Sequence, residues 1–217
     1  MTEPSDGTSA ERARPSFLRE LPVLLLIALV VAFLLRTFVL QVFFIPSSSM
    51  EPTLQVDDRM VVEKVTYHFR DPQHGEVIVF GGASRPEGDE PLATRLQRGA
   101  WQFLGVVPIS ARDYVKRVIG VGGDVVELVD GDVSVNGHTL DEPYVVLGDR
   151  DNFGPVTVPD DHYFLLGDNR GNSSDSRRGL GFVARDDVIG RAAIIIWPMS
   201  NAGRLTTEAL SIPEPAG

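Results

Sequence analysis

Apolar residues run without a break from Leu21 to Leu35, LPVLLLIALVVAFLL. Arg36 and Thr37 interrupt the run, and FVLQVFFI carries the apolar character on to Ile45. A helix that crosses a bilayer needs about 20 largely apolar residues. The pattern predicts a transmembrane helix over 17–40, with the Arg36 stem reaching towards the headgroups. No small-x-small cleavage site follows, so the stretch reads as a retained anchor and not as a removed leader. Arg12, Arg14 and Arg19 precede it, and Asp57 and Asp58 follow it. Basic flanks stay cytoplasmic, which places the N-terminus inside and the remainder of the chain outside. Residues 1–16 are polar and are expected to form a disordered cytoplasmic tail.

Beyond Arg59 the pattern changes to short strand-like runs. These are MVVEKVTYHF (60–69), EVIVF (76–80), YVKRVIGV (114–121), DVVELV (124–129), VSV (133–135), YFLLG (163–167) and AAIIIWP (192–198). Turn residues separate them: Asp71-Pro72, Gly122-Gly123, Asp130-Gly131 and Asn136-Gly137. Asn-Gly between alternating runs is a strong hairpin signal, because a type I′ turn needs positive φ at both positions. The predicted class is therefore mainly β. A single N-terminal transmembrane helix leads into an all-β domain over 41–200, sandwich-like or barrel-like, with a smaller inserted β meander over 122–162. Residues 82–112 form a long excursion with one short helix around 92–104, whose Trp101, Phe103 and Leu104 cover a core edge. Residues 201–217 are a C-terminal tail.

Composition narrows the function. The net charge is −10, and acids and bases cancel up to Arg36, so the excess lies in residues 37–217. An acidic domain offers no footprint for phosphate backbones, which argues against a nucleic-acid partner. The absence of cysteine removes disulfides, thiolate metal sites and thiol nucleophiles. Only two of the 20 basic residues, Lys64 and Lys116, are lysine. His68, His74, His138 and His162 lie at scattered spacings and read as surface residues, and no metal-ligand pattern is present.

The chain lacks a G-x-S-x-G elbow, an H-E-x-x-H helix and an S-x-x-K triplet. Serine with lysine remains. A serine hydroxyl is a poor nucleophile without an adjacent base, and neutral lysine can be that base. Desolvation lowers a lysine pKa by up to ~3–5 units, so the base should sit in apolar surroundings without a carboxylate partner. Lys64 follows Glu63 on a strand that looks half solvated. Lys116 lies in YVKRVIG among apolar neighbours and beside Arg117, a setting that favours it over Lys64. PSSSMEPT (46–53) supplies hydroxyls between two backbone-restricting prolines. A serine run of this kind could provide both a nucleophile and an oxyanion donor.

Together, PSSSMEPT, YVKRVIGVGGDVV and GDNRGNSSDSRRGLGFV, in that order and with HGEVIVF and VNGHTLDEPY between them, resemble type I bacterial signal peptidases. The resemblance covers most of residues 21–198. It implies a membrane-anchored Ser-Lys endopeptidase of the bacterial plasma membrane, acting on the signal peptides of secreted preproteins at the lipid bilayer, with no cofactor and no metal. It implies Ser49 as nucleophile and Lys116 as general base. Ser47 would join the Ser49 backbone N–H in the oxyanion hole. Ser173 would orient the lysine, while Asp168, Asp175 and Arg177 hold the region together, with Asp168 pairing Arg117. Ile45, Met50, Leu54, Tyr114 and Val115 would line shallow substrate pockets. The chain departs from the common pattern at Ser48, where glycine is usual, at Asp57-Asp58 in place of Gly-Asp, and at Gly171 in place of aspartate. A self-cleaving Ser-Lys repressor-type protease and a membrane-tethered β-rich binding or scaffold protein are the alternatives.

Overall fold

The computed structural model describes residues 17–81, 113–146, 148–205, 207 and 210. The expected tail 1–16, the excursion 82–112 with its aromatic residues, and nearly all of 206–217 lie outside the described residues.

Residues Phe17–Phe38 form one helix, α1. Its side chains from residue 20 to 32 are exposed, with Leu25 and Leu26 at 62% and 61%. That stretch spans about 20 Å at 1.5 Å per residue. No helix among the described residues is long and apolar enough to cross a membrane.

The apolar run does not stay helical to Ile45. It turns into strand β1, Leu40–Phe44, which pairs antiparallel with β2, Arg59–Glu63. Val and Phe suit a pleated surface better than another helical turn, and Phe43 and Ile45 are drawn into the core. The run expected over 60–69 ends at Glu63, because Thr66–His68 close a 3-10 turn with His68 N–H donating to the Val65 carbonyl at 3.0 Å.

The larger sheet continues with β3 (Val77–Gly81), β4 (Asp113–Val121), β9 (His162–Leu166), β10 (Val183–Ala184), β11 (Val188–Trp197) and β12 (Gly203–Arg204). Its order is β1-β2-β11-β3-β4-β9-β10, with β12 paired to β11. Register shifts interrupt β11 against β2 and β3, and β4 against β9. Such bulges bend a strand and increase its twist.

Between β4 and β9 the chain makes a second sheet of β5 (Val125–Val129), β6 (Asp132–Val135), β7 (His138–Thr139) and β8 (Phe153–Thr157), in the order β7-β6-β5-β8. Asn136 and Gly137 carry the positive φ values, 54° and 79°, that the β6–β7 hairpin requires. Strands β1, β7, β8, β10 and β12 are not among the expected runs, β12 pairs with β11 inside the segment expected as a C-terminal tail, and β11 begins four residues before Ala192. Three apolar clusters fill the fold. The first joins β1, β2 and the 45–58 loop, the second lies under the smaller sheet, and the third backs β3, β4 and β9.

Candidate active site

The serine run lies in the loop that connects β1 to β2. Ile45 N–H donates to the Asp58 carbonyl and Asp57 N–H to the Ile45 carbonyl, each at 2.9 Å, which closes the base of the loop. Inside it, Glu51 N–H reaches the Ser48 carbonyl at 3.1 Å and Leu54 N–H the Met50 carbonyl at 2.9 Å. Met50 and Leu54 are buried in the first cluster and pin the loop to the sheet. PSSSMEPT is therefore a folded turn held by core side chains, not a stalk.

Lys116 comes from the middle of β4, opposite Ile78 on β3. Its Nζ lies 2.7 Å from Ser49 Oγ and 3.0 Å from the Val115 carbonyl. Ser47 Oγ is 3.5 Å from Ser49 Oγ. Among the described residues Lys116 makes no ion pair, although Asp175 and Asp168 stand near enough to favour its charged form. Burial outweighs them and pushes the Lys116 ammonium down to about 8. Near that value a lysine can accept a proton at neutral pH and return it. Lys64 is half-buried rather than freely exposed, and burial lowers its pKa too. Proximity to Ser49 distinguishes the two lysines.

The turn after β9 closes over this pair. Asn169 N–H donates to the Ser49 carbonyl at 3.1 Å, Asn169 Nδ2 to the Ser48 carbonyl at 3.1 Å, and Asn172 Nδ2 to Ser48 Oγ at 2.8 Å. Gly167 is packed so closely that a Cβ there would stand 2.5 Å from the Ser49 carbonyl oxygen and 2.3 Å from Ser173 Oγ. Ser173 Oγ is buried and has no hydrogen-bond partner among the described residues, so the expected bond to Lys116 is not formed.

Two buried ion pairs support the turn. Arg117 Nε and Nη2 donate to the two oxygens of Asp168 at 2.9 and 2.6 Å, and Thr53 Oγ1 donates to the same carboxylate at 2.5 Å. Arg177 donates to both oxygens of Asp175 at 3.0 and 2.9 Å and to Asp149 at 2.7 Å. Asp175 also accepts from Gly167 N–H at 3.3 Å. The loop that leaves the smaller sheet adds a brace. Glu142 accepts two bonds from Arg170, at 2.9 and 2.5 Å, and one from Tyr144 Oη at 2.7 Å. The Tyr144 ring lies over the Arg117 guanidinium at 3.8 Å.

Of the five expected pocket residues, Ile45, Met50, Leu54 and Val115 are buried, and only Tyr114, at 39%, presents surface. Tyr114 stacks on Phe80 with ring centroids 5.7 Å apart. A cavity of about 280 Å³ opens beside His74 and His162 and is lined by neither Ser49 nor Lys116. His74 is not the free surface residue its sequence setting suggests, because it meets Asp124 at 2.6 Å.

Thr53, Glu142, Tyr144, Asn169, Arg170 and Asn172 all contribute to this site without having been assigned from sequence. Each lies inside a block quoted for the resemblance, so the signal was present, but their partners are far away in the chain.

Residues 18–197 match the signal peptidase, peptidase S26 family. The chain belongs to that family. It is 42% identical over 190 residues to a probable signal peptidase I-2 from Synechocystis sp., covering 88% of this chain and 78% of that protein. It is 40% identical over 224 residues to a signal peptidase I from Mycobacterium tuberculosis, covering 88% and 76%. A crystal structure of a signal peptidase I from Enterococcus faecalis is 27% identical and covers 56% of this chain and 97% of that one, at a TM-score of 0.39. Serine with lysine is an established variant of the triad, which gives the Ser49–Lys116 contact a chemical context.

Proposed function

We propose that this chain is a membrane-anchored serine endopeptidase that removes N-terminal signal peptides from secreted preproteins. The observation that carries the reading is the 2.7 Å approach of Lys116 Nζ to Ser49 Oγ. Neutral Lys116 takes the Ser49 proton as Oγ attacks the carbonyl of the scissile bond. The Ser49 N–H and the Ser47 hydroxyl stabilise the oxyanion. Lys116 then protonates the leaving amine, and the acyl-enzyme is released by water that Lys116 deprotonates. Ser173 is the hydroxyl that orients Nζ in this scheme, and its buried, unpartnered Oγ is available for that role. Asp168, Asp175 and Arg177 fix the turn that carries it.

An extended signal peptide docks as an added strand, with Tyr114 at the edge of its groove. Ile45, Met50, Leu54 and Val115 form the apolar wall behind that groove. In this reading α1 is the anchor over 17–40, the N-terminus is cytoplasmic, and the β domain 41–200 stands outside the plasma membrane of a bacterium. The exposed apolar side chains of α1 support the anchor, and the arginines before it support the orientation.

The test is cleavage of a preprotein by the purified full chain in detergent. Wild type should yield one new N-terminus at the signal-peptide boundary, and Ser49→Ala should yield none. Cleavage that survives Ser49→Ala at the wild-type rate defeats the reading.

A further inference from the structure

The peptide between Ser48 and Ser49 is trans. Its carbonyl and its N–H therefore lie in one plane and point in opposite directions. Whatever holds the Ser48 carbonyl also sets the direction of the Ser49 N–H. Two donors hold that carbonyl, Asn169 Nδ2 at 3.1 Å and Glu51 N–H at 3.1 Å. The following carbonyl, of Ser49, accepts from Asn169 N–H at 3.1 Å. Asn169 thus grips two successive carbonyls, with a side-chain bond and a backbone bond. It is 5% exposed, so little solvent competes for either bond. Among the described residues nothing accepts from the Ser49 N–H, which leaves that donor available. A hydrogen bond accepted at the carbonyl also polarises the peptide and strengthens its N–H as a donor. Asn172, from the same turn, steadies Ser48 from a third direction through its 2.8 Å bond to Ser48 Oγ.

We infer that Asn169 is the positioning residue of the oxyanion hole, aiming the Ser49 N–H by clamping the carbonyls of residues 48 and 49. The inference rests on the endopeptidase reading and adds a residue whose side chain hydrogen-bonds neither the Ser49 hydroxyl nor the Lys116 ammonium. It separates two tasks within one turn of chain. Gly167 and Ser173 pack beside the dyad, while Asn169 sets the donor that the developing charge requires.

The experiment compares wild type with Asn169→Ala and Asn169→Leu on a preprotein in detergent. Deleting an oxyanion donor outright costs about 10²–10³-fold in kcat, so misaiming one should cost about 10- to 100-fold. KM should stay within about threefold, and the acid limb of the pH–rate profile should not move, because Lys116 is undisturbed. A peptide aldehyde provides the second readout. Ser49 Oγ adds to its carbonyl carbon, the Ser49 proton passes to Lys116, and the aldehyde oxygen becomes an anion in the hole. Aldehyde affinity should fall by the same factor as kcat/KM. Binding of an uncleaved signal peptide, measured in a Ser49→Ala background, should be unchanged.

Wild-type kcat in the variants overturns the inference. So does a loss that appears in peptide binding and not in aldehyde affinity. Asn169→Asp keeps the size and the backbone N–H but replaces the side-chain donor with an acceptor. Where the other variants do not fold, it should show the same losses on the alkaline plateau of its profile, and wild-type values there overturn the inference equally. Absence of cleavage by wild type is a different result, and it removes the endopeptidase reading instead.

Discussion

Arg117 grips both carboxylate oxygens of Asp168, at 2.9 and 2.6 Å, one residue along β4 from Lys116. Both partners are about 1% exposed. The pair matters to the proposed base because Asp168 and Asp175 each pull Lys116 towards its charged form. Arg117 offsets the first carboxylate and Arg177 the second. Burial can then dominate and leave Lys116 with a pKa of about 8.

Asp168→Asn should therefore act in two directions. Removing one partner of a buried ion pair leaves an uncompensated charge, here on Arg117, and costs about 3–5 kcal/mol of stability. In the fraction that stays folded, one carboxylate near Lys116 is gone, so its pKa falls further. The acid limb of the activity profile should shift to lower pH while the urea midpoint drops. A limb that moves to higher pH contradicts this account of the electrostatics.

Activity should depend on neutral Lys116. kcat/KM should rise about tenfold per pH unit below the inflection and level off above about 8. Stability carries the same signature with its own sign. The folded-state pKa lies below the ordinary 10.5 of lysine. Between those values the unfolded chain binds the extra proton, so burying Lys116 costs most below about 8 and the cost fades as pH rises towards 10.5. Lys116→Met should then be more stable than wild type by roughly 3 kcal/mol at pH 7, from a fall of about 2.5 units at ~1.36 kcal/mol per pKa unit. Chemical denaturation at pH 7 and at pH 10 checks both the sign and the narrowing gap.

The two lysines give a direct contrast. Lys116→Ala should remove preprotein cleavage, by about 10³-fold or more. Lys64→Ala should remain within about threefold of wild type, because Ser49 Oγ is already engaged by Lys116 at 2.7 Å. The reverse outcome would transfer the base to Lys64.

Gly167→Ala should damage activity more than its one methyl suggests. The new Cβ would stand 2.5 Å from the Ser49 carbonyl oxygen, a backbone atom that can move only with the serine loop. The expected result is a fall in kcat of about 100-fold or more, since small misplacements of reacting groups are costly. The melting temperature should fall by only a few degrees. An active Gly167→Ala enzyme would mean that the loop tolerates displacement.

The chemistry was legible because it was confined to few residues. With two lysines, no cysteine and one serine run beside an apolar segment, the candidates were narrow before any fold was known. The hairpin at Asn136-Gly137 was equally plain, because positive φ at two successive positions has a local chemical cause. The 60–69 run misled because its apolar alternation carries no mark of where pairing stops. A 3-10 turn at Thr66–His68 ends it. Strand β1 was hidden in the continuation of an apolar helix, where composition alone cannot separate one state from the other.

What the sequence determined by itself was chemical identity and local form: an apolar leading helix, a mainly β domain, a short list of serine and lysine candidates, and turns with obligatory backbone conformations. Only the tertiary structure decided which groups meet. Lys116 reaches Ser49 across 67 residues, Asn169 reaches the Ser48 carbonyl across 121, and Arg170 reaches Glu142 across 28. Desolvation, and with it the working pKa of Lys116, is likewise a property of the packed interior. Hydrogen bonds act over about 3 Å, and no sequence pattern measures a distance between residues so far apart along the chain.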